Sequence, residues 1–145
     1  PNTEDDPGSQ QTQQIARHLT RHVCDALSAS PPPLWVKVSP GLSDDQYRVL
    51  MSVFAETGVQ AVIATNTTID RAAVTGHPLA GEAGGLSGAP LRERSNHVTR
   101  VLYQRVGDQI PIIGVGGIAT RRAHRRRVRS RDARSLLAQR QMMPS

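Results

Sequence analysis

The sequence predicts an α/β fold built on a parallel sheet, and three observations support this prediction. Short apolar runs alternate with longer segments of helical periodicity, in the order helix, strand, helix, strand, helix, strand. The runs are four to six residues long and rich in Val and Ile, as strands buried on both faces are. Each run ends in polar residues or glycines, and sites are built at the carboxyl edge of closed barrels and of open doubly wound sheets alike. This pattern leaves the choice between those two architectures open.

The first helix and the first strand are separated by a proline run. Apolar residues recur at near-helical spacing and predict an amphipathic helix over 11–28, after a polar segment over 1–10 that is expected to be loop. Pro31–Pro33 end this helix, because each proline removes a backbone donor and favours an extended predecessor. Leu34–Val38 is then predicted to be a buried strand.

The second helix carries end signals on both sides. Ser43 suits the N-cap position, and two aspartates follow it in the first turn, where the helix dipole favours acid. Apolar residues fall at i, i+3, i+4 and i+7 from Tyr47, and Gly58 stands where a C-terminal glycine belongs. The predicted strand Ala61–Ala64 then runs directly into the polar stretch Thr65–Thr68.

A long loop leads to the last helix and strand. Residues 70–90 contain seven glycines or prolines and are expected to be irregular. A helix is predicted over 93–106 with Gly107 after it, and a strand over 110–115 that ends in the pair Gly116-Gly117.

Charge and cysteine content limit the class of protein. Residues 121–145 hold nine Arg and one Asp, a net +8, whereas residues 1–120 carry a net −2. A nucleic-acid-binding function would therefore depend on the tail alone. Cys24 is the only cysteine, which excludes an internal disulfide framework and fits a reducing compartment. No apolar run approaches the roughly 20 residues of a membrane span, and no segment resembles a signal peptide.

Lys37, the only lysine of the chain, stands inside an apolar strand. Burying an ammonium without a partner is costly, so an interior lysine implies an anion nearby, and reduced flavin is one such anion. The alternative is that Lys37 lies near the strand end and reaches water.

Two kinds of polar turn follow the other strands. Thr65–Thr68 offer three hydroxyls and one amide, suited to a planar amide, imide or carboxylate ligand, or else to an ordinary strand-to-helix turn. The glycine-rich turns 84–88 and 114–117 could let backbone N–H groups approach one shared phosphate. A dinucleotide fingerprint at the second turn is disfavoured, because arginine-rich sequence follows where a helix and an acidic residue are required. His18 and His22, at i and i+4, have no third ligand candidate and are read as a solvated helix side, so no metal site is predicted.

Four linked motifs resemble the quinone-dependent dihydroorotate dehydrogenases. The matching stretches are VKVSPGL at 36–42, IATNTT at 63–68, EAGGLSGAP at 82–90 and PIIGVGGI at 111–118. The resemblance implies a TIM barrel, of which residues 1–118 would supply roughly strands five to seven. It also implies FMN as cofactor and the oxidation of dihydroorotate to orotate, with quinone as acceptor, in pyrimidine biosynthesis. The parent enzyme would sit on the bacterial cytoplasmic membrane, or on the mitochondrial inner membrane if eukaryotic, and would bind quinone through a region that precedes this segment.

The same resemblance assigns roles to single residues. Those expected to contact FMN are Lys37, Thr65, Gly88 and Gly117, the two glycines through their backbone N–H groups at the phosphate. Those expected to contact the orotate or dihydroorotate ring are Asn2, Asn66 and Thr67. The family's catalytic serine would stand immediately before Pro1, so no catalytic residue is expected within the sequence. The chain alone is accordingly expected to bind FMN weakly, to be inactive, and to aggregate through exposed strand edges.

The resemblance stops near Ile118, where the family continues into a helix and a further phosphate-binding strand. Residues 119–145 are rich in Arg instead and are predicted to be a frameshifted reading of a GC-rich gene, disordered or marginally helical. Reading the DNA in the other two frames tests this prediction. The alternatives are a genuine basic extension that binds nucleic acid or anionic lipid, and an open reading frame without a cellular role.

Overall fold

The computed structural model describes residues 7–27 and 32–118, which form three helices, three strands and two short 3-10 turns. The helices and strands alternate along the chain in the predicted order. Their bounds are α1 Pro7–Ala26, β1 Trp35–Val38, α2 Asp44–Glu56, β2 Ala61–Ala64, α3 Arg92–Val106 and β3 Ile112–Gly114.

The strands form one parallel sheet in the order β1-β2-β3. Lys37 pairs with Ile63, and Ile63 with Ile113, so these three residues share one face of the sheet. Their neighbours Val62 and Ile112 point to the opposite face and are 0% and 3% exposed. The sheet therefore has one well-buried face and one more open face.

The buried face packs against the helices. One hydrophobic cluster joins Val62 of β2 to Met51 of α2 and to Leu102 of α3, each of them fully buried. Helices on one face of a parallel sheet are the arrangement of a (β/α)8 barrel, whereas an open doubly wound sheet is covered on both faces. The α/β prediction is confirmed, and the architecture is that of a partial barrel. The expectation that strands are buried on both faces is wrong for β1, in which Trp35 is 45% exposed.

The outer edge of β1 has no strand beside it among the described residues. The carbonyls of Leu34 and Val38 accept hydrogen bonds from Gln60 and Asn66 on the β2 side. The backbone groups of Trp35 therefore point to the other side of β1, because successive residues of a strand alternate in direction. A groove of about 540 Å³ runs between this edge and the apolar side of α1.

The start of α1 differs from the sequence prediction, whereas both ends of α2 agree with it. α1 begins at Pro7, so the prediction of loop is wrong for residues 7–10; proline is well tolerated in a first helical turn, where its missing N–H has no partner to lose. α2 has a full capping box, in which the Ser43 hydroxyl accepts from the Gln46 N–H and the Gln46 amide oxygen accepts from the Ser43 N–H. Gly58 follows α2 with a φ of 75°, as predicted for a C-terminal glycine.

None of the described helices is long and apolar enough to cross a membrane.

Candidate functional site

Lys37 is the third of the four residues of β1, next to the carboxyl edge and on the face of the sheet opposite the helix-packed core. The side chain is exposed among the described residues, so of the two environments considered for Lys37 the structure shows the one in which the side chain reaches water. Its ammonium has no ion-pair partner within that part of the chain. Lys37 is thus a cation available on the open face of the sheet.

The polar stretch after β2 is hydrogen-bonded to the chain at the ends of β1 and β3. The Thr65 N–H donates to the Val115 carbonyl at 3.1 Å, and the Asn66 N–H donates to the Val38 carbonyl at 2.8 Å. Thr65 is 2% exposed, and its hydroxyl donates to the Asn66 carbonyl. Asn66 and Thr67 are exposed, so their side chains remain accessible to a ligand at this edge.

The first glycine turn packs closely over Thr67. A Cβ added at Gly85 would lie 1.9 Å from the Thr67 Oγ1, a separation that no side chain can occupy. Thr68 and Leu86 form an isolated antiparallel bridge, in which each N–H donates to the other's carbonyl at 3.0 and 2.7 Å. The loop therefore brings Gly85 and the residues after it back onto the end of β2.

Both glycine turns reach the start of α3. Gly88 precedes the 3-10 turn Ala89–Leu91 that leads into the helix, and it has a φ of 81°. Gly117 has a φ of 69°, and a Cβ there would lie 2.4 Å from the Arg92 Cα and 2.8 Å from the Arg92 nitrogen. Glycine is required at this contact, which holds the second turn against the first residue of α3. The helix dipole at such a start favours an anion.

The sequence analysis missed a clamp on the loop that follows β1. The Tyr47 hydroxyl donates to the Ser39 carbonyl at 2.6 Å, and the Arg94 Nε donates to the Pro40 carbonyl at 2.7 Å. Arg94 also donates to the Leu42 carbonyl, and its guanidinium lies 5.8 Å from the centre of the Tyr47 ring. This clamp fixes the turn two residues after Lys37. The apolar period of α2 predicted a buried Tyr47, but no sequence signal pairs it with Arg94.

Tyr47 in this clamp makes the free energy of unfolding depend on pH in the alkaline range. Burial raises the pKa of the Tyr47 phenol above its ordinary value of 10.0, an effect that the charge of Arg94 partly opposes. The folded state therefore holds this proton more tightly than the unfolded state. The resulting stabilisation is fully present below about pH 10 and declines as the pH rises through the folded-state pKa.

We expect Tyr47→Phe to lower the free energy of unfolding by about 1 kcal/mol at neutral pH, because the bond to Ser39 is lost. The variant should also show a shallower decline above about pH 10. Urea unfolding at several pH values measures both effects. Tyr103→Phe, on α3, serves as the control and should keep the decline; equal profiles for Tyr47→Phe and the wild type would contradict the prediction.

The histidine pair of α1, for which no metal site was predicted, is described by the structure, whereas two other parts of the prediction are not. His18 and His22 stack with ring centres 6.2 Å apart, and no group of three or more metal-ligating side chains occurs in residues 7–27 and 32–118. Asn2 and residues 119–145 lie outside the described residues.

The fold and the edge just described define a class, the α/β-barrel proteins whose site is built at the carboxyl ends of the strands. A sequence model of the family described as Dihydroorotate dehydrogenase matches residues 1–123, and the chain belongs to this family. The match extends five residues beyond the predicted boundary at residue 118.

Relatives and solved structures agree with this assignment. The chain is 54% identical over 86 residues to a dihydroorotate dehydrogenase (quinone) of Chromobacterium violaceum, covering 59% of this chain and 25% of that protein. It is 49% identical over 98 residues to one of Polynucleobacter necessarius, covering 68% of this chain and 28% of that protein. The chain thus spans about a quarter of the length of these relatives. The DHODH of Eimeria tenella in complex with ferulenol superposes with a TM-score of 0.74 at 29% identity, covering 90% of this chain and 39% of that one.

Proposed function

We propose that this chain is the segment of an FMN-dependent dihydroorotate dehydrogenase that carries part of the flavin and orotate sites. The whole enzyme would oxidise dihydroorotate to orotate for pyrimidine biosynthesis and pass the electrons to quinone at a membrane. The observation that carries the proposal is the meeting of the polar stretch after β2 with both glycine turns at one carboxyl edge of the sheet.

The residues at this edge fit FMN. The two glycine turns at the start of α3 offer backbone N–H groups to a phosphate, and Gly117 leaves no room there for a side chain. Lys37 is an available cation on the open face, where it would stabilise negative charge on a flavin ring. The backbone of Thr65 is bonded to the residue after β3, and its hydroxyl is bonded to the Asn66 carbonyl. When bound, FMN supplies the hydride acceptor.

The substrate contacts proposed for Asn66 and Thr67 follow from their donors and acceptors. An exposed amide and an exposed hydroxyl match the imide and carboxylate groups of orotate. The Asn66 backbone N–H is anchored to β1, and its side-chain oxygen accepts from the Thr67 N–H at 3.0 Å, which leaves the amide NH₂ free to orient a ring. Asn2 would add a further contact from a segment outside the described residues.

Ligand titrations followed by amide NMR test the proposal on the 145-residue chain. FMN at millimolar concentration should shift the Gly88 and Gly117 amide signals, whereas riboflavin, which lacks the phosphate, should leave them unshifted. Orotate should shift the Asn66 side-chain amide. Binding should be weak, and Lys37→Gln should weaken flavin binding, whereas Arg100→Gln on the exposed side of α3 should not. Identical responses to FMN and riboflavin at both glycines would refute the phosphate site.

A further inference from the structure

Arg71 joins three backbone carbonyls from two separate parts of the loop after β2. Its Nη1 donates to the Thr68 carbonyl at 3.3 Å, and its Nη2 donates to the Glu82 carbonyl at 3.2 Å and to the Gly84 carbonyl. The side chain is half-buried, so it is partly withdrawn from water. One guanidinium thus closes the loop between its first residues and the beginning of the glycine turn.

Gly84, whose carbonyl Arg71 binds, immediately precedes the residues whose contacts position the candidate site. Gly84 is followed by Gly85, which packs on Thr67, and by Leu86, which forms the bridge to Thr68. Closing a loop of this length costs conformational entropy, which local hydrogen bonds must offset. Without the bonds from Arg71, the two Leu86–Thr68 hydrogen bonds would have to hold the turn in place.

The geometry of the contact requires an arginine. The guanidinium is a planar fork with five donors, so it can serve carbonyls on two sides at once. A lysine ammonium carries the same charge but presents its donors from a single point. If Arg71 acted only through its positive charge, Arg71→Lys would preserve its role. If it acts by linking three carbonyls, Arg71→Lys would abolish that role.

We propose that Arg71 is a positioning residue: it holds the Gly84–Gly88 turn against Thr67 and thereby sets the position of the Gly88 N–H and the Thr67 hydroxyl. The ligands that those two groups would meet rest on the proposed function, but the positioning itself does not. Arg71 acts through the loop, because its described hydrogen bonds are all made to backbone carbonyls.

Amide hydrogen exchange on the whole chain tests the positioning without any ligand. In Arg71→Gln and in Arg71→Lys, we expect the Leu86 and Thr68 amides to exchange about tenfold faster or more, since bonds from a charged donor are lost. The Val62 amide, bonded to Pro111 at 3.0 Å in the central strand, should keep its rate and so report an intact fold. Arg100→Gln is the matched control and should leave all three rates unchanged. The proposal is overturned if Arg71→Gln leaves the Leu86 rate unchanged, or if Arg71→Lys restores it.

Inorganic phosphate supplies a second measurement that separates this inference from the proposed function. Phosphate should shift the Gly88 amide in the wild type, and both Arg71 variants should need about fivefold more phosphate for the same shift, because preorganisation is lost. An equal phosphate response in the wild type and both variants would overturn the positioning role at the site. If phosphate shifts no amide even in the wild type, the phosphate site of the proposed function fails, and the exchange rates still decide the role of Arg71.

Discussion

Gly117→Ala is expected to lower the free energy of unfolding by about 2–5 kcal/mol. The residue has a φ of 69°, and a left-handed conformation costs an L-residue about 1–2 kcal/mol. The new Cβ would also overlap the Cα and nitrogen of Arg92, backbone atoms that cannot move without shifting α3. Such overpacking adds about 1–3 kcal/mol. Urea unfolding followed by circular dichroism measures the change.

Two other glycines separate the contributions of conformation and contact. Gly76 has a φ of 85° but no atom within 4 Å of an added Cβ, so Gly76→Ala should show the conformational cost alone. Gly81 has neither a positive φ nor a close neighbour, and Gly81→Ala should stay within about 0.5 kcal/mol of the wild type. If Gly117→Ala costs no more than Gly76→Ala, the contact with Arg92 is not the reason for glycine at this position.

The same substitution bears on the proposed phosphate site. A shift of Arg92 away from Gly117 would separate the second glycine turn from the start of α3, where the first turn ends. Gly117→Ala should therefore weaken the response of both glycine turns to FMN, whereas Gly76→Ala should leave it intact.

Local signals in the sequence predicted the helices and strands well. β2 has the predicted bounds Ala61–Ala64, and α2 is capped at Ser43 as predicted, because apolar period and capping chemistry act within a few residues. β3 is shorter than the predicted strand over 110–115, since strand ends depend on pairing with a neighbour. α1 begins before the predicted start at residue 11, because Pro7 and polar residues are compatible with a first helical turn.

Contacts between distant parts of the chain could not be predicted in this way. Arg94 lies 54 positions from Pro40, whose carbonyl it binds, and its sequence context is that of an ordinary helix surface residue. For Lys37 the sequence left two environments open, because a short apolar strand does not reveal which of its faces is covered. The choice of a barrel came from the family resemblance and not from the periodicity, which is the same in both parallel-sheet architectures.

Leu102→Ala is expected to lower the free energy of unfolding by about 3 kcal/mol, within the range of about 2–5 kcal/mol for such core truncations. Leu102 is 0% exposed, lies in the second half of α3, and belongs to the cluster that also contains Met51 and Val62. The cavity would open where α2, α3 and the sheet meet, so neighbouring side chains could fill it only by shifting a helix.

The size of this loss distinguishes a specifically packed core from a loose one. Domains of this size have a total stability of about 5–15 kcal/mol, so the variant should unfold at a clearly lower urea concentration with an unchanged m-value. Leu102→Met, which keeps the volume, should cost less than about 1.5 kcal/mol. Leu79→Ala is the matched control, because Leu79 is 63% exposed in the loop, and it should stay within about 0.5 kcal/mol of the wild type.

A loss below about 1 kcal/mol for Leu102→Ala, or a reduced m-value, would mean that the helices do not pack tightly on the sheet in the isolated chain. In that case the edge that brings the polar stretch and the glycine turns together would also lack a rigid support.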